Sequence, residues 1–253
     1  MRFRHVLVGL AVLITAGLLA GSSYAKIDPE SIVGIWLLDE GKGTVAADSS
    51  GNGHDGVVTA IGWVDDGKFG GALENAGGTA IQIDHNDAFS LQTFTLACWV
   101  KIIDTGAYQA VFGKQPDNPT RNYRVEIHPT GVSRISFGSG GQAGAGSVLG
   151  TTVVADDEWH HIVATYDMEQ LKMYVDGVLE GTQQKNLEPA TNNSPLQMGM
   201  INGLVDELGM FNAALEEEDI IMIRDSGLSE VLEPSAVSPS DKLSTTWAEI
   251  KIQ

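Results

Sequence analysis

The sequence predicts an all-β fold in which two antiparallel sheets pack face to face as a β-sandwich, with one short C-terminal helix. Three observations support this prediction. Short runs of alternating apolar and polar residues recur along the chain. Segments rich in Gly, Asn, Asp and Ser separate them, and glycine contributes 30 of the 253 residues. Only one stretch resembles a helix. Alternation with a period of two between turn residues is typical of sandwich or barrel strands.

Four segments indicate the strands most clearly. Residues 94–101 and 123–127 each place their apolar side chains on one side. Residues 159–166 are apolar on both sides, as expected of a strand in the middle of a sheet. The pair Asp176-Gly177 lies between two apolar runs, where it supplies the positive φ angles of a tight hairpin turn.

The helix is predicted over residues 213–224. Asn212 can cap its start, acidic residues fill its first turns, and Arg224 lies at its end. Beyond it, residues 229–253 are interpreted as a linker and short tail. The tail contains Trp247, and it either docks on the sandwich, binds a sorting or assembly partner, or is frayed.

The N-terminus has the pattern of a secretory signal peptide. Arg2 and Arg4 precede an apolar run over residues 6–20, and small residues follow up to Ala25. The run is shorter than the roughly 20 residues that a membrane-spanning helix needs. We therefore expect residues 1–25 to be removed and the sandwich to comprise residues 26–228. The protein is expected to be secreted, periplasmic or on the cell surface, without membrane insertion after removal of the signal.

Charge and cysteine content exclude further classes. The chain has a formal net charge of −18, and loss of Arg2 and Arg4 would make it −20. A surface with this much negative charge repels phosphate backbones and anionic membranes. Nucleic acid is therefore not an expected partner. Cys98 is the single cysteine, so no intramolecular disulfide forms and the fold depends on its core. We interpret Cys98 as a buried structural residue.

Seven motifs, taken together and in order, carry a family resemblance. They are GIWLLDEG (34–41), DSSGNGHDG (48–56), FGGAL (69–73), FTLACWVK (94–101), WHHIVATYD (159–167), YVDG (174–177) and VDELGMF (205–211). The sequence resembles the laminin G-like jelly-roll family of the concanavalin A-like superfamily. The resemblance implies two sheets of about six or seven strands, with the first strand paired to the last. That pairing would bring Asp39 and Glu40 close to Asp206 and Glu207.

The resemblance also implies one structural calcium ion, since members of the family often hold one. Its side-chain ligands would be Asp39, Asn52 and Asp206, with carbonyl oxygens of Ser50 and Gly56. Calcium prefers six to eight oxygen ligands from a flexible loop of this composition. The alternative is that Asp48 and Asn52 only form side-chain-to-backbone turns, which these residue types do habitually.

Trp99 and the glycine-rich segment 138–146 are two further candidates for ligand contacts. Trp99 could stack on a sugar ring from the concave sheet, or it could simply cover its neighbours. The glycine-rich segment 138–146 is a second candidate for glycan contact, as a mobile rim loop.

His160 and His161 are adjacent in a strand and point to opposite faces, so they cannot chelate one metal ion together. They are interpreted as hydrogen-bonded strand histidines.

No catalytic motif is recognisable in the sequence. Glycoside hydrolases need two acids on one face, and the adjacent Asp206 and Glu207 are expected on opposite faces. The sequence therefore predicts a secreted, non-catalytic module that binds carbohydrate. One alternative is an extracellular adhesion or assembly module that binds a surface protein. A second alternative is an unrecognised glycoside hydrolase.

Overall fold

The alternating runs form strands in the computed structural model, which describes residues 27–60, 62–114 and 120–232. Within these residues the strands build two antiparallel sheets of eight strands each. Sheet A contains β1 (Ile32–Trp36), β4 (Gly62–Val64), β5 (Ala72–Ala76), β7 (Phe94–Ile102), β12 (Trp159–Tyr166), β13 (Gln170–Val175), β14 (Val178–Gln184) and β16 (Asn202–Phe211). Sheet B contains β2 (Val45–Ala46), β3 (Gly56–Val58), β6 (Ile81–Ile83), β8 (Gln109–Lys114), β9 (Tyr123–Ile127), β10 (Val132–Ser139), β11 (Gln142–Val153) and β15 (Leu196–Met200).

The strand order confirms the predicted sandwich. Sheet A runs β14-β13-β12-β7-β16-β5-β4, and β1 also pairs with β16. The first strand is thus paired with the last, and β12 lies inside its sheet, both as expected. Sheet B runs β11-β10-β9-β8-β15-β6-β3-β2. Asp176 and Gly177 form the hairpin turn between β13 and β14, with φ angles of 50° and 78°.

The core lies between the two sheets and has no disulfide. The predicted apolar sides of β7 and β9 both face it, and Cys98 is fully buried there. Burial raises the pKa of the Cys98 thiol far above its usual range, as expected of an unreactive structural cysteine. In the first motif, Gly34 is required because the ring of Trp36 lies over it. A Cβ at Gly34 would lie 2.5 Å from that ring.

The structure has a helix in the predicted region, but the helix begins later than the predicted residue 213. Helix α1 spans Glu217–Ser226, and Glu216 occupies its N-cap position without a side-chain cap bond. Asn212 does not cap it, because the helix begins later in the chain, and the backbone N–H of Asn212 donates to the Ser31 carbonyl at 2.8 Å. The hydroxyl of Thr95 donates to the carbonyl of Ala213 and accepts the N–H of Leu215, which holds this segment out of the helix.

The folded region continues past the expected boundary at residue 228. Ser229–Leu232 form a helical turn, α2, and Leu228 is completely buried. The predicted signal peptide and the remaining tail with Trp247 lie outside the described residues and stay predictions. No helix in the described part of the chain is long and apolar enough to span a membrane.

The two outer surfaces of the sandwich differ sharply. On sheet A, α1, α2 and the N-terminal segment pack over the sheet, and we call this surface the covered face. Its cluster includes Ile27, Ile35, Ala97, Val163, Tyr174, Phe211, Leu215, Ile220, Ile223 and Leu228, with Leu232 packed against it. The outer surface of sheet B is covered by neither helix, and we call it the open face.

Candidate functional site

A five-residue loop, 67–71, is fixed to the covered face by two carboxylates. Both Lys68 and Phe69 donate their backbone N–H groups to Oδ2 of Asp206, at 2.8 and 3.0 Å. Gly71 donates its N–H to Oδ1 of Asp39 at 2.7 Å. The two acids that the resemblance placed close together therefore hold the same loop.

The glycines of this loop explain the motif over residues 69–73. Gly70 has a φ of +78°, and a Cβ there would lie 2.2 Å from Oδ1 of Asp39. Any other residue would combine an unfavourable backbone conformation with a collision against the carboxylate that fixes the loop.

Asp206 and Glu207 do not alternate as expected. Glu207 has a φ of 50°, and the pairing of β16 with β7 shifts between Asp206 and Gly209. This bulge turns both carboxylates toward the covered face, where Glu207 accepts the backbone N–H of Leu228. The prediction that the two acids lie on opposite faces is therefore wrong. Both are nearly inaccessible, at 0% and 3% exposure, and burial raises the pKa of each to about 7.

The residues proposed as calcium ligands make bonds within the protein. Both oxygens of Asp206 accept backbone N–H groups, since Oδ1 accepts from Glu207. The amide of Asn52 donates to the carbonyls of Ile32 and Val33, at 2.8 and 3.3 Å. Within the described residues no group of three or more His, Cys, Asp or Glu side chains could hold a metal ion.

The loop over residues 48–56 is organised around Asp48. Its carboxylate accepts the N–H and the hydroxyl of Ser50 as well as the N–H groups of Ile35 and His54. These side-chain-to-backbone bonds match the alternative in which Asp48 forms a turn. They explain why the motif contains Asp and Ser at these positions. Gly56 begins β3, where a Cβ would lie 2.3 Å from the side chain of Ile81. Calcium binding by this loop stays a prediction.

Trp99 lies on the covered face and is only 4% exposed. The ammonium of Lys68 lies 4.1 Å from the centroid of its ring, and the rings of Phe69 and His161 pack beside it at 6.2 and 5.2 Å. These contacts match the second alternative for Trp99, in which the ring covers its neighbours, because the protein's own side chains lie over it.

The two adjacent histidines differ in their surroundings. His160 is held between Asp176 and Asp156, with nitrogen–oxygen distances of 2.8 and 3.2 Å, and these acids raise its pKa. His161 is 1% exposed, and neither ring nitrogen has a hydrogen-bond partner among the described residues. Burial lowers the pKa of His161 to about 3. The expected hydrogen-bonded histidine is thus confirmed for His160 and wrong for His161.

A cluster of charged residues lies on the open face. Glu126 in β9 is 3% exposed and is paired through both of its oxygens. Oε2 lies 2.7 Å from Nε of Arg124, and Oε1 lies 3.0 Å from Nη1 of Arg134. A third arginine, Arg121, donates to the hydroxyl of Ser136 at 2.8 Å. We call Arg121, Arg124, Glu126 and Arg134 the arginine cluster.

Tyr108 stands beside this cluster and is 48% exposed. The ring of His128 meets it edge-on, with centroids 5.3 Å apart, and the guanidinium of Arg134 lies 5.9 Å from its centroid. Tyr108 lines two neighbouring depressions. One holds the arginine cluster and has a volume of ≈ 330 Å³. The other, of ≈ 670 Å³, extends along the loop at Gly77 and Gly78 to Asn202. Both volumes are in the range of small-ligand sites.

The segment over residues 138–146 is not a rim loop. Gly140 and Gly141 form the turn between β10 and β11, and β11 already begins at Gln142. Ala143 and Gly144 nevertheless line the depression that holds the arginine cluster. The segment therefore lies at the open face, as part of a hairpin.

Sequence reasoning missed the arginine cluster, although a signal for it exists. When Val125 and its apolar neighbours face the core, Arg124, Glu126 and His128 must face outward. The chain has only 15 basic residues, and three of them lie between residues 121 and 134. The pairing of Arg134 with Glu126 across β10 and β9 is not readable from composition.

Comparisons with known proteins agree on the fold. A family model described as the concanavalin A-like lectin/glucanases superfamily, Laminin_G_3, matches residues 75–221. No curated protein sequence matches the chain.

Similar solved structures include binding domains of several kinds. The binding domain of Paraclostridial Mosquitocidal Protein 1 has a TM-score of 0.64 at 18% identity, covering 78% of this chain and 52% of that one. Domain 4 of AbnA, a GH43 extracellular arabinanase from Geobacillus stearothermophilus, in complex with arabinotriose, has a TM-score of 0.60 at 20% identity. That match covers 77% of this chain and 98% of the domain. The botulinum neurotoxin serotype D binding domain has a TM-score of 0.59 at 15% identity, covering 78% and 51%. The chain thus spans about half the length of the two toxin domains.

Proposed function

From the premise that this chain belongs to the laminin G-like family of the concanavalin A-like lectin/glucanases superfamily, we propose that it is a non-catalytic module that binds carbohydrate on its open face. The predicted signal peptide supports a location outside the cytoplasm. Family membership by itself does not choose the ligand, because one scaffold serves many functions.

Tyr108 is the observation that carries the proposal. It is a half-exposed aromatic ring between two depressions, surrounded by polar side chains. Aromatic rings bind the apolar faces of sugars, while polar neighbours bind hydroxyl groups. The arabinanase domain, whose structure was determined with arabinotriose, has the same fold.

The buried acid pair does not support the hydrolase alternative. Asp206 and Glu207 share a side of the sheet, but loop 67–71 and Leu228 occupy their oxygens. A general acid or nucleophile must reach the glycosidic bond, and these carboxylates are at most 3% exposed.

The test is a glycan array probed with the purified protein, followed by titration of the bound glycans against a Tyr108→Ala variant. We expect Tyr108→Ala to weaken binding by about tenfold, the loss of one aromatic stacking contact. Leu179→Ala is the matched control, because Leu179 is 44% exposed but lies on β14 of sheet A. Absence of any bound glycan, or equal binding by Tyr108→Ala and the wild-type protein, would overturn the proposal and favour a protein partner.

A further inference from the structure

We propose that an acidic depression beside the start of α1 binds the α-ammonium group that cleavage of the predicted signal peptide creates on Lys26. The partner of this ammonium is the carboxylate of Asp219, so that removal of the signal peptide stabilises the sandwich. The inference rests on the predicted cleavage after Ala25 and does not depend on carbohydrate binding.

The depression lies where the N-terminal segment meets α1, and it has a volume of ≈ 380 Å³. Four acidic residues line it, Asp28, Glu30, Glu216 and Asp219, and none of the described residues around it is Lys, Arg or His. Carboxylates brought together in this way repel one another, and a cation between them relieves the repulsion. The depression therefore favours a positively charged group.

Asp219 is the buried acid of this depression, and one of its oxygens lacks a donor. The residue is 5% exposed, and its Oδ1 has no hydrogen-bond partner among the described residues. The N-terminal end of α1 favours a negative charge here, but it supplies no donor to Oδ1. Buried carboxylate oxygens are normally hydrogen-bonded. An ammonium group supplies both the missing donor and the compensating charge.

The neighbouring charges do not compensate Asp219 either. Burial raises the pKa of Asp219, and the carboxylates of Glu216 and Glu218 act in the same direction. The backbone N–H of Glu216 acts against them. A cation at the depression would be opposed by none of these acids and attracted by all of them.

The course of the chain brings the new ammonium to this place. Ile27 is 6% exposed, packs into the apolar cluster of the covered face and lines the depression. The hydroxyl of Ser31 donates to the carbonyl of Asp28 at 2.6 Å, which fixes the turn that follows. Lys26 is bonded to Ile27, and consecutive Cα atoms are about 3.8 Å apart. In the uncleaved chain the same nitrogen belongs to a peptide bond and carries no charge.

Two chains that differ only at the N-terminus test the site. Mass spectrometry of the exported protein first shows whether its chain begins at Lys26, and a different start overturns the inference. The mature chain is then compared with the same chain extended by Gly-Ser-Gly-Ser. The extension keeps the net charge and every native side chain, but it moves the ammonium away. We expect it to lower the melting temperature by about 3–5 °C. Equal melting temperatures would overturn the proposal.

Variants then assign this difference to Asp219. Asp219→Asn should cause a similar loss in the mature chain and little further loss in the extended chain, because both changes remove the same ion pair. Glu218→Gln is the matched control, since Glu218 lies in the same helical turn but is exposed and does not line the depression. It should leave the difference between the two chains unchanged. Additive losses for Asp219→Asn and the extension would contradict the pairing.

Lys26→Gln separates the α-ammonium from the side-chain ammonium of the same residue. This variant keeps the α-ammonium and removes only the charge at Nζ. We expect the difference between mature and extended chains to persist in it. If Lys26→Gln abolishes the difference, Nζ is the partner and the proposal is wrong.

Reactivity of the α-amine gives a readout that does not depend on stability. Pairing with a carboxylate raises the pKa of an amine and so lowers the fraction of the reactive, uncharged form. At pH 7, acetic anhydride should acetylate the α-amine of the folded mature protein at least fivefold more slowly than in the urea-unfolded protein. Asp219→Asn should remove most of this protection, and Glu218→Gln should not. Absence of protection in the mature protein overturns the proposal even if Asp219→Asn fails to fold.

Discussion

Two glutamates, each 3% exposed, show how differently the two outer faces treat a buried charge. On the open face, Glu126 lies between the guanidinium groups of Arg124 and Arg134. On the covered face, Glu207 has one backbone N–H as its partner and Asp206 as its neighbour. Burial raises the pKa of Glu207 to about 7, and the neighbouring carboxylates of Asp206 and Asp39 act in the same direction.

The comparison indicates that the two faces serve different purposes. On the covered face, polar groups fix a loop and a helical turn, and the protein tolerates the cost of burying them. On the open face, charged groups are paired, partly hydrated and directed toward a depression. Glu207, which is bonded to a backbone N–H, therefore lies in a region with a structural role. Glu126, which is paired with arginines, lies on the candidate binding surface.

Replacing each glutamate by glutamine should change the stability with opposite signs, and the larger effect is expected at Glu207. The folded-state pKa of Glu207 is above its usual 4.5, so its contribution to stability is complete below that pH and is lost as pH rises through about 7. At pH 8, Glu207→Gln should raise the free energy of unfolding by up to about 3 kcal/mol. At pH 4.5 the two proteins should be equal, since glutamine resembles the protonated acid.

Glu126→Gln should instead lower stability by about 1–2 kcal/mol at neutral pH, because two arginines lose their partner. Their partial exposure keeps the loss below that of a fully buried pair. Urea unfolding between pH 4.5 and 8 measures both variants. If Glu207→Gln is destabilising at pH 8, the proposed contrast between the faces is wrong.

A pair of glycine variants tests the attachment of loop 67–71. Gly70→Ala should destabilise the protein by more than about 2 kcal/mol, because backbone strain of about 1–3 kcal/mol is joined by the collision with Asp39. Gly78→Ala, beside the open face, has a similar φ of +75° and no atom within 4 Å, so it shows the strain alone. Thermal unfolding measures the difference, and equal losses would refute a role for Asp39 in holding the loop.

Removal of calcium should have the smallest effect. Oδ1 of Asp39 and both oxygens of Asp206 already accept backbone N–H groups, whereas Asn52 bonds to the backbone through Nδ2, which is not a calcium ligand. A calcium ion would compete with those bonds, so the ion that the resemblance implies should stabilise the protein only weakly, and a chelator should lower the melting temperature slightly. An unchanged melting temperature would contradict the calcium prediction. A clear fall on chelation, reversed by calcium but not by magnesium, would establish the calcium site that the resemblance implies.

The fold was predictable because strand alternation, turn residues and motif order all agree. The open site was harder to find. Alternation places Arg124 and Glu126 outward, but their meeting with Arg134 depends on the register of β10 with β9. The error at Asp206 and Glu207 has a local cause, since the bulge at Glu207 interrupts a period that sequence reasoning assumes to be regular. For Trp99 the sequence left two alternatives open, because the loop that covers the ring, 67–71, is distant in sequence.

The positions of Ile27 and Leu232 have a practical consequence. Both pack into the apolar cluster of the covered face, so the described polypeptide enters and leaves on the side opposite the arginine cluster. A neighbouring domain or an immobilisation tag joined near either position would attach behind the sandwich. Tethered in this way, the module would display Tyr108 and the arginines away from its anchor, toward whatever surface it meets.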